Sequence, residues 1–302
     1  MGHQDQTKSG VIFAISAYTI WGVAPIYFKQ LLVVPAAEIL MHRVFWSVIL
    51  LAILILLLRG TEKVKVALAS PKLLLTLFVA GILLAGNWLL YIWSVNNNHL
   101  IEASLGYFIN PMVNVALGRI FLGEKLRKIQ LFAVLLACVG IGLLLYNFGR
   151  LPWIALALAF SFGIYGLLRK KAAVDSMPGL FLETSMMLPA ALIYWIFFAG
   201  ATANMLTNTS SLNLLLMAAG IITVAPLLCF TAAARRIQYS TLGFFQYICP
   251  SLLFGLAVFI YGEHMSSERL LTFLFVWTAL LIFTLDSLHN YRAQKKLLMR
   301  PS

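Results

Sequence analysis

The sequence predicts an all-α integral membrane protein of ten transmembrane helices arranged as two inverted five-helix repeats. Three observations lead there: an extreme composition, ten apolar runs separated by lopsided charge, and one constant internal offset. Of 302 residues, 62% are hydrophobic and 11% are charged, against roughly 45–50% and about 25% in soluble domains. That excludes a water-soluble protein. The net charge of +12 would suggest nucleic acid in a soluble chain, but the basic residues fall in loops on one side of the apolar runs and read as orientation signals. No nucleic-acid partner is implied; the partners are the lipid bilayer and a small solute. Cys138, Cys229 and Cys249 each sit inside an apolar run without CxxC or histidine-paired spacing, so they read as packing residues, with no disulfide, metal site or cofactor.

A bilayer core of about 30 Å needs about 20 apolar helical residues. Runs of that length, bounded by charge, proline or asparagine clusters, occupy 11–29, 36–58, 73–95, 102–122, 129–147, 152–169, 178–198, 212–233, 241–261 and 268–288. The first lacks a small-residue cleavage site and is followed at once by further runs, which marks a retained helix. None shows the alternation of a membrane strand, so the backbone is satisfied within helices. Alternate loops test the number of spans. One side holds Lys8; Arg59, Lys63, Lys65 and Lys72; Arg119, Lys125, Arg127 and Lys128; Arg169, Lys170 and Lys171; Arg235 and Arg236; and Arg292, Lys295, Lys296 and Arg300, which is 18. The other side holds only Lys29, Arg150 and Arg269, and Arg43 lies within a span. The positive-inside rule then puts both termini in the cytoplasm.

The offset is 139 positions: Gly81 aligns with Gly220, Pro111 with Pro250, and Gly123-Glu124 with Gly262-Glu263. Glu38 and Glu183 differ by 145, and Ala17-Tyr18-Thr19 and Ala159-Phe160-Ser161 by 142, as short loop insertions would allow. Each half holds five spans, and the odd number forces opposite insertion. The expected organisation is a first repeat over 8–147, a second over 148–290 and a basic cytoplasmic tail over 291–302. Halves related in this way can exchange conformations around a site near the midplane, which is alternating access.

Polar residues within spans are costly, at about 2.5–3.5 kcal/mol for a charge at mid-bilayer, and are functional candidates by default. Glu38, His42 and Arg43 cluster in span 2, either as ion-coupling groups or as a structural ion pair near the outer interface. Glu183 in span 7 is the counterpart of Glu38, pairing across the bundle or lining a cavity. Asn87, Trp88 and Tyr91 in span 3 and Tyr107, Asn110 and Asn114 in span 4 form polar stripes that must face protein or water. Gln246 and Tyr247 in span 9 correspond to them. These eight residues are the expected cavity wall. Pro111 and Pro250 each remove a backbone bond and are expected hinges. The two Gly-Glu pairs read as helix termination with a membrane-edge carboxylate, and Ala155, Ala159 and Gly163 as a small-residue packing face.

Several strings resemble a known family. Trp21-Gly22 with Pro25, Tyr27 and Lys29, Glu38-Ile39-Leu40 with His42-Arg43 and Trp46-Ser47, Asn87-Trp88, the run Ser104 to Pro111, and Gln246-Tyr247-Ile248 with Pro250 are together similar to the RarD family of EamA-type drug/metabolite transporters. The resemblance spans the chain. It implies ten helices in two inverted repeats, a bacterial inner membrane location, and movement of a small solute, usually outward; the family name is linked to chloramphenicol sensitivity.

The expected function is therefore a secondary active transporter exporting a small metabolite or amphipathic drug. The chain has no GxxxxGK[ST] loop, so a gradient must supply the energy. If protons are coupled, Glu38, His42, Arg43 and Glu183 are the groups to carry the coupling, since buried titratable groups can load and release protons. A solute channel is the main alternative. An integral-membrane enzyme is the weaker one, resting only on the isolated spacing His99 to Glu102.

Overall fold

In the computed structural model, residues 3–97, 99–149, 151–260 and 267–298 are described. Of twelve α-helices, eleven form ten candidate membrane spans, and no strand occurs among the described residues. Spans 1 and 2 are α1 (His3–Phe28) and α2 (Ala36–Leu57). The short helix α3 (Thr61–Leu68) then leads to spans 3 to 8: α4 (Pro71–Asn96), α5 (Leu100–Leu122), α6 (Lys128–Phe148), α7 (Trp153–Lys171), α8 (Ser176–Phe198) and α9 (Ser210–Ala234). Span 9 is α10 (Tyr239–Phe245), α11 (Ile248–Gly255) and a π-helical turn (Leu256–Ile260), and span 10 is α12 (Ser267–Leu298).

Local chemistry explains the boundaries. Ser70 accepts a hydrogen bond from the Leu73 N–H while Pro71 occupies the first helical position, so α4 starts where its loose N–H groups are met. Thr209 caps α9 through the Leu212 N–H. Gly123 (φ +64°) and Gly149 (φ +73°) end α5 and α6 in the left-handed region that glycine enters without a Cβ penalty. The terminating role expected of Gly123 is thus met; Gly262 and Glu263 lie outside the described residues.

Two features depart from the expectation. The helix α3 lies in the second loop, where apolar Val64 and Ala67 bury one side of a short basic segment. Span 9 is not one continuous helix. A proline clashes with the carbonyl four residues earlier, and in span 9 the break falls at Gln246 and Tyr247, four and three residues before Pro250. Pro111, by contrast, sits inside an uninterrupted α5.

The pairing of spans has a regular form. Spans 1 and 8, 3 and 6, 2 and 8, 3 and 7, 1 and 9, and 4 and 6 pack together, as do 2 and 7, 4 and 9, and 5 and 10. Adding five to each number, modulo ten, returns the same nine pairs; the lesser packing of spans 6 and 8 has no counterpart of equal extent between spans 1 and 3. The small-residue face of α7 is used inside the bundle: a Cβ on Gly163 would lie 2.8 Å from Val113 Cγ1 on α5, so only a glycine permits this approach. Exposed leucine, isoleucine and phenylalanine side chains such as Leu57, Leu135, Phe197 and Ile221 form the outer surface, as lipid contact requires. The N-terminal part of α1 meets Arg236 and Ile237, and Arg127 at the start of α6 pairs with Asp286 near the end of α12. Gly10 of α1 and Asp286 of α12 therefore both lie at the end of the bundle that carries the basic loops.

Candidate functional site

A cavity of about 210 Å³ opens among spans 1, 2, 3, 4, 6 and 9, within the half of the bundle away from the basic loops. Its wall comes from helix faces that their apolar backs turn inward. From α1 come Tyr18, Trp21, Pro25 and Phe28, spaced 3, 4 and 3 residues apart and so on a single stripe. Asn87, Trp88 and Tyr91 of α4, Tyr107 and Asn110 of α5, and Gln246 at the break in span 9 complete the polar wall. Tyr91 and Tyr107 meet edge to face with centroids 6.1 Å apart.

Arg43 is the one charged side chain in this wall among the described residues. Its guanidinium carbon stands 4.2 Å from the Trp88 ring centroid and 5.7 Å from that of Phe28, and its Nε donates to Thr223 Oγ1 on α9 at 2.8 Å. Glu38, His42 and Arg43, adjacent in sequence, point three different ways. The buried Glu38 carboxylate accepts from the Gly200 N–H at 2.6 Å and from the Thr202 hydroxyl, holding the loop after α8. The buried His42 ring packs 5.4 Å from Trp195. No ion pair joins Glu38 to Arg43 among the described residues.

The other expected wall residues divide. The Asn87 amide donates to Leu158 O at 2.9 Å and Ser161 Oγ at 2.8 Å, tying α4 to α7 at the cavity edge. Asn110 Nδ2 donates to Ala159 O at 2.6 Å. Asn114 and Tyr247 lie behind the wall: Asn114 Nδ2 donates to Asn110 Oδ1 at 3.1 Å and Gln246 Oε1 at 3.0 Å, and the buried Tyr247 donates to Phe108 O at 3.4 Å. They bind span 4 to span 9. Cys249, read from sequence as packing alone, does reach the wall.

Below the cavity lies an aromatic floor. Trp21 packs on Phe162 and Phe230 at 5.7 and 5.8 Å, Phe162 on Phe230 at 5.2 Å, and Tyr165 stacks on Phe230 at 6.1 Å. Sequence reasoning missed Tyr18, Trp21, Pro25, Phe28 and Phe162 as lining residues. The α1 stripe was a readable signal; Phe162 carried none, because every face of its helix is apolar.

Beneath the floor the basic end is tightly tied. Glu124 accepts from the Tyr239 N–H (2.6 Å), the Ser240 N–H (2.9 Å) and the Ser240 hydroxyl (2.7 Å), capping the start of span 9. Lys170 Nζ donates to Ala234 O and Ile237 O at the end of α9. Glu183, wholly buried, faces Arg169 Nε at 3.5 Å, so it pairs within the bundle and does not line the cavity. Asp175 bridges Lys63 and Arg235 at 2.7 and 2.8 Å, which holds its carboxyl below the usual carboxylate range, Lys63 contributing most. The HxxE spacing is structural: Glu102 accepts the Ile154 N–H at 2.9 Å, and His99 stacks on Trp93.

Ten apolar helices around a cavity of aromatic, apolar and a few polar side chains form a multi-pass membrane protein. Comparison with known proteins narrows the class. Residues 8–146 match the EamA-like transporter family. The chain is 56% identical over 294 residues to an uncharacterized transporter of Vibrio cholerae serotype O1, covering 97% of each. It is 52% identical over 292 residues to Protein RarD of Escherichia coli K12, covering 96% of this chain and 99% of that one. A Pseudomonas aeruginosa protein named chloramphenicol-sensitive protein RarD is 29% identical over 293 residues, covering 95% and 97%. One crystal structure, at 18% identity, superposes with a TM-score of 0.69 over 92% of this chain and 98% of its own, a likeness of fold. The chain belongs to the RarD family of the drug/metabolite transporter superfamily, a family of bacterial membrane transporters.

Proposed function

We propose that this protein is a secondary active transporter that moves a small metabolite out of the bacterial cytoplasm across the inner membrane by alternating access between two inverted repeats, 8–147 and 148–290. The observation that carries the reading is the asymmetry of the bundle: the cavity opens in the half away from the basic loops, over an aromatic floor and a clamped opposite end. With the basic loops and both termini cytoplasmic, this is an outward-facing state. The set of span pairs unchanged by adding five supports the inverted repeat, since an exchange of the two halves' conformations would then open the other end. Drug-sized ligands occupy pockets of about 300–1,000 Å³; a volume near 210 Å³ favours a small metabolite.

In this cycle the break before Pro250 and the kink-prone Pro111 are the hinges. Glu183 is the proton-coupling group, because its charged partner among the described residues, Arg169, is in the half that must open, and protonation would release that pair. Glu38 and His42, turned away from the cavity, hold span 2 and the outer loop.

The test is counterflow in proteoliposomes, using solutes chosen by thermal stabilisation of the purified protein across a metabolite panel. Saturable counterflow, with Glu183→Gln insensitive to an imposed pH gradient, is the expected result. Non-saturable flux without counterflow would make the protein a channel. Retained pH sensitivity in Glu183→Gln would remove Glu183 from coupling. Reporter fusions at both ends test the cytoplasmic termini.

A further inference from the structure

We infer that the cavity selects a small organic monoanion: a carboxylate held by Arg43 and an aromatic or apolar body laid against Trp21, Trp88 and Phe162. The inference deepens the transporter reading above and rests on it. Its basis is a charge imbalance. Among the described residues the wall contains one guanidinium and no aspartate or glutamate. The described carboxylates of the neighbouring spans are engaged elsewhere, Glu38 on Gly200 and Thr202, Glu102 on Ile154 and Glu183 with Arg169.

Arg43 is also held as a receptor and not merely accommodated. Stacking on Trp88 at 4.2 Å and the bond from Nε to Thr223 fix the plane of the guanidinium. Its terminal nitrogens donate to no acceptor among the described residues, so their fork is presented to the cavity. A planar fork with parallel N–H groups matches a carboxylate in two-point contact. Close to it, the Tyr107 and Tyr91 rings and the Gln246 amide offer further polar contacts, while the aromatic floor accepts a flat apolar body. A cationic solute would meet an uncompensated positive charge, and a neutral one would leave the fork without an acceptor. The single charge and the modest volume set the class: one anionic group, one small body. An inside-negative membrane potential also drives a monoanion outward.

The experiment compares three ligands with one body: indole-3-acetate, indole-3-acetamide and tryptamine, as anion, neutral molecule and cation, repeated with benzoate, benzamide and benzylamine. Purified full-length protein is melted with each. A carboxylate that binds the folded state raises the unfolding temperature in proportion to its occupancy. The expected result is stabilisation by at least one carboxylate and by neither of its partners. Arg43→Gln, which keeps a polar side chain, should weaken that binding about tenfold or more. Arg43→Lys should recover only part, because an ammonium cannot stack and fork in this way. Equal stabilisation by an amide or amine, unchanged affinity in Arg43→Gln, or no stabilisation by either carboxylate would overturn the inference. The comparison on the unmutated protein stands even if an Arg43 variant folds poorly. Counterflow separates the two readings: exchange of an amine or amide would keep the transporter and refute anion selection, whereas carboxylate binding without exchange would do the reverse.

Discussion

At the end bearing the basic loops, carboxylates and lysines of one span clamp the backbone ends of another. At the opposite end the same helices part around a cavity whose one cation has no such partner among the described residues. Glu124 and Lys170 close the first end by satisfying loose helix termini, a use of charge that makes a seal. Arg43 at the second end is positioned by aromatic stacking and one hydroxyl, a use of charge that leaves a binding group free. Buried polar groups at both ends, Asn87 and Asn110 of the wall included, hold helices together; Arg43 differs in keeping terminal N–H groups that no described acceptor takes.

The comparison can be broken most severely at the buried pair. Arg169→Met strands the Glu183 carboxylate in the interior, so a loss of about 3–5 kcal/mol in stability is expected. The double variant Arg169→Met/Glu183→Leu should recover most of it, and thermal melts of the three proteins check this. Equal damage in single and double variants would mean that the pair contributes only packing. Next comes Glu124→Gln, which weakens three charge-assisted bonds at the sealed end. It should cost about 1.5–3 kcal/mol and speed hydrogen exchange at Tyr239 and Ser240, whereas Glu38→Gln should speed it at Gly200 instead.

Asn114→Ala sharpens the division between wall and scaffold. It leaves Asn110 Oδ1 and Gln246 Oε1 without their donor and should cost about 1–3 kcal/mol, with ligand affinity unchanged. A selective loss of affinity would put Asn114 into the wall after all. The smallest effect belongs to Asp175. Its carboxyl is depressed by Lys63 and then Arg235, so its contribution is full above the unfolded carboxylate value of about 3.9 and fades as pH falls through the lower folded value. Being half-exposed, the cluster is worth under about 1 kcal/mol. Wild type and Asp175→Asn should differ slightly at pH 7, and their melts should converge in acid.

Much of the scaffold was legible and less of the site. Each expected span overlaps an observed one, because twenty apolar residues between charges leave a chain in lipid no alternative to a helix. The break in span 9 was half-readable: Pro250 marked it, but the equivalent Pro111 sits in an unbroken helix, so proline alone does not decide. Arg43 was singled out as a costly intramembrane charge, yet its neighbours Glu38 and His42 suggested an ion cluster that the bundle disperses. Asn114 and Tyr247 carried the same polar signal as Asn110 and Gln246 and lie one layer farther back.

What the sequence determined by itself was a multi-pass helical membrane protein with its basic loops on one side, since hydropathy and charge act through the solvent and need no knowledge of neighbours. It also determined the family, through strings spread along the whole chain. Which side chains share a cavity was left to the tertiary structure. In a helix apolar on every face, periodicity does not distinguish lipid from protein, and only the packing of spans 1, 2, 3, 4, 6 and 9 placed the Arg43 guanidinium among aromatic rings with no described acid beside it.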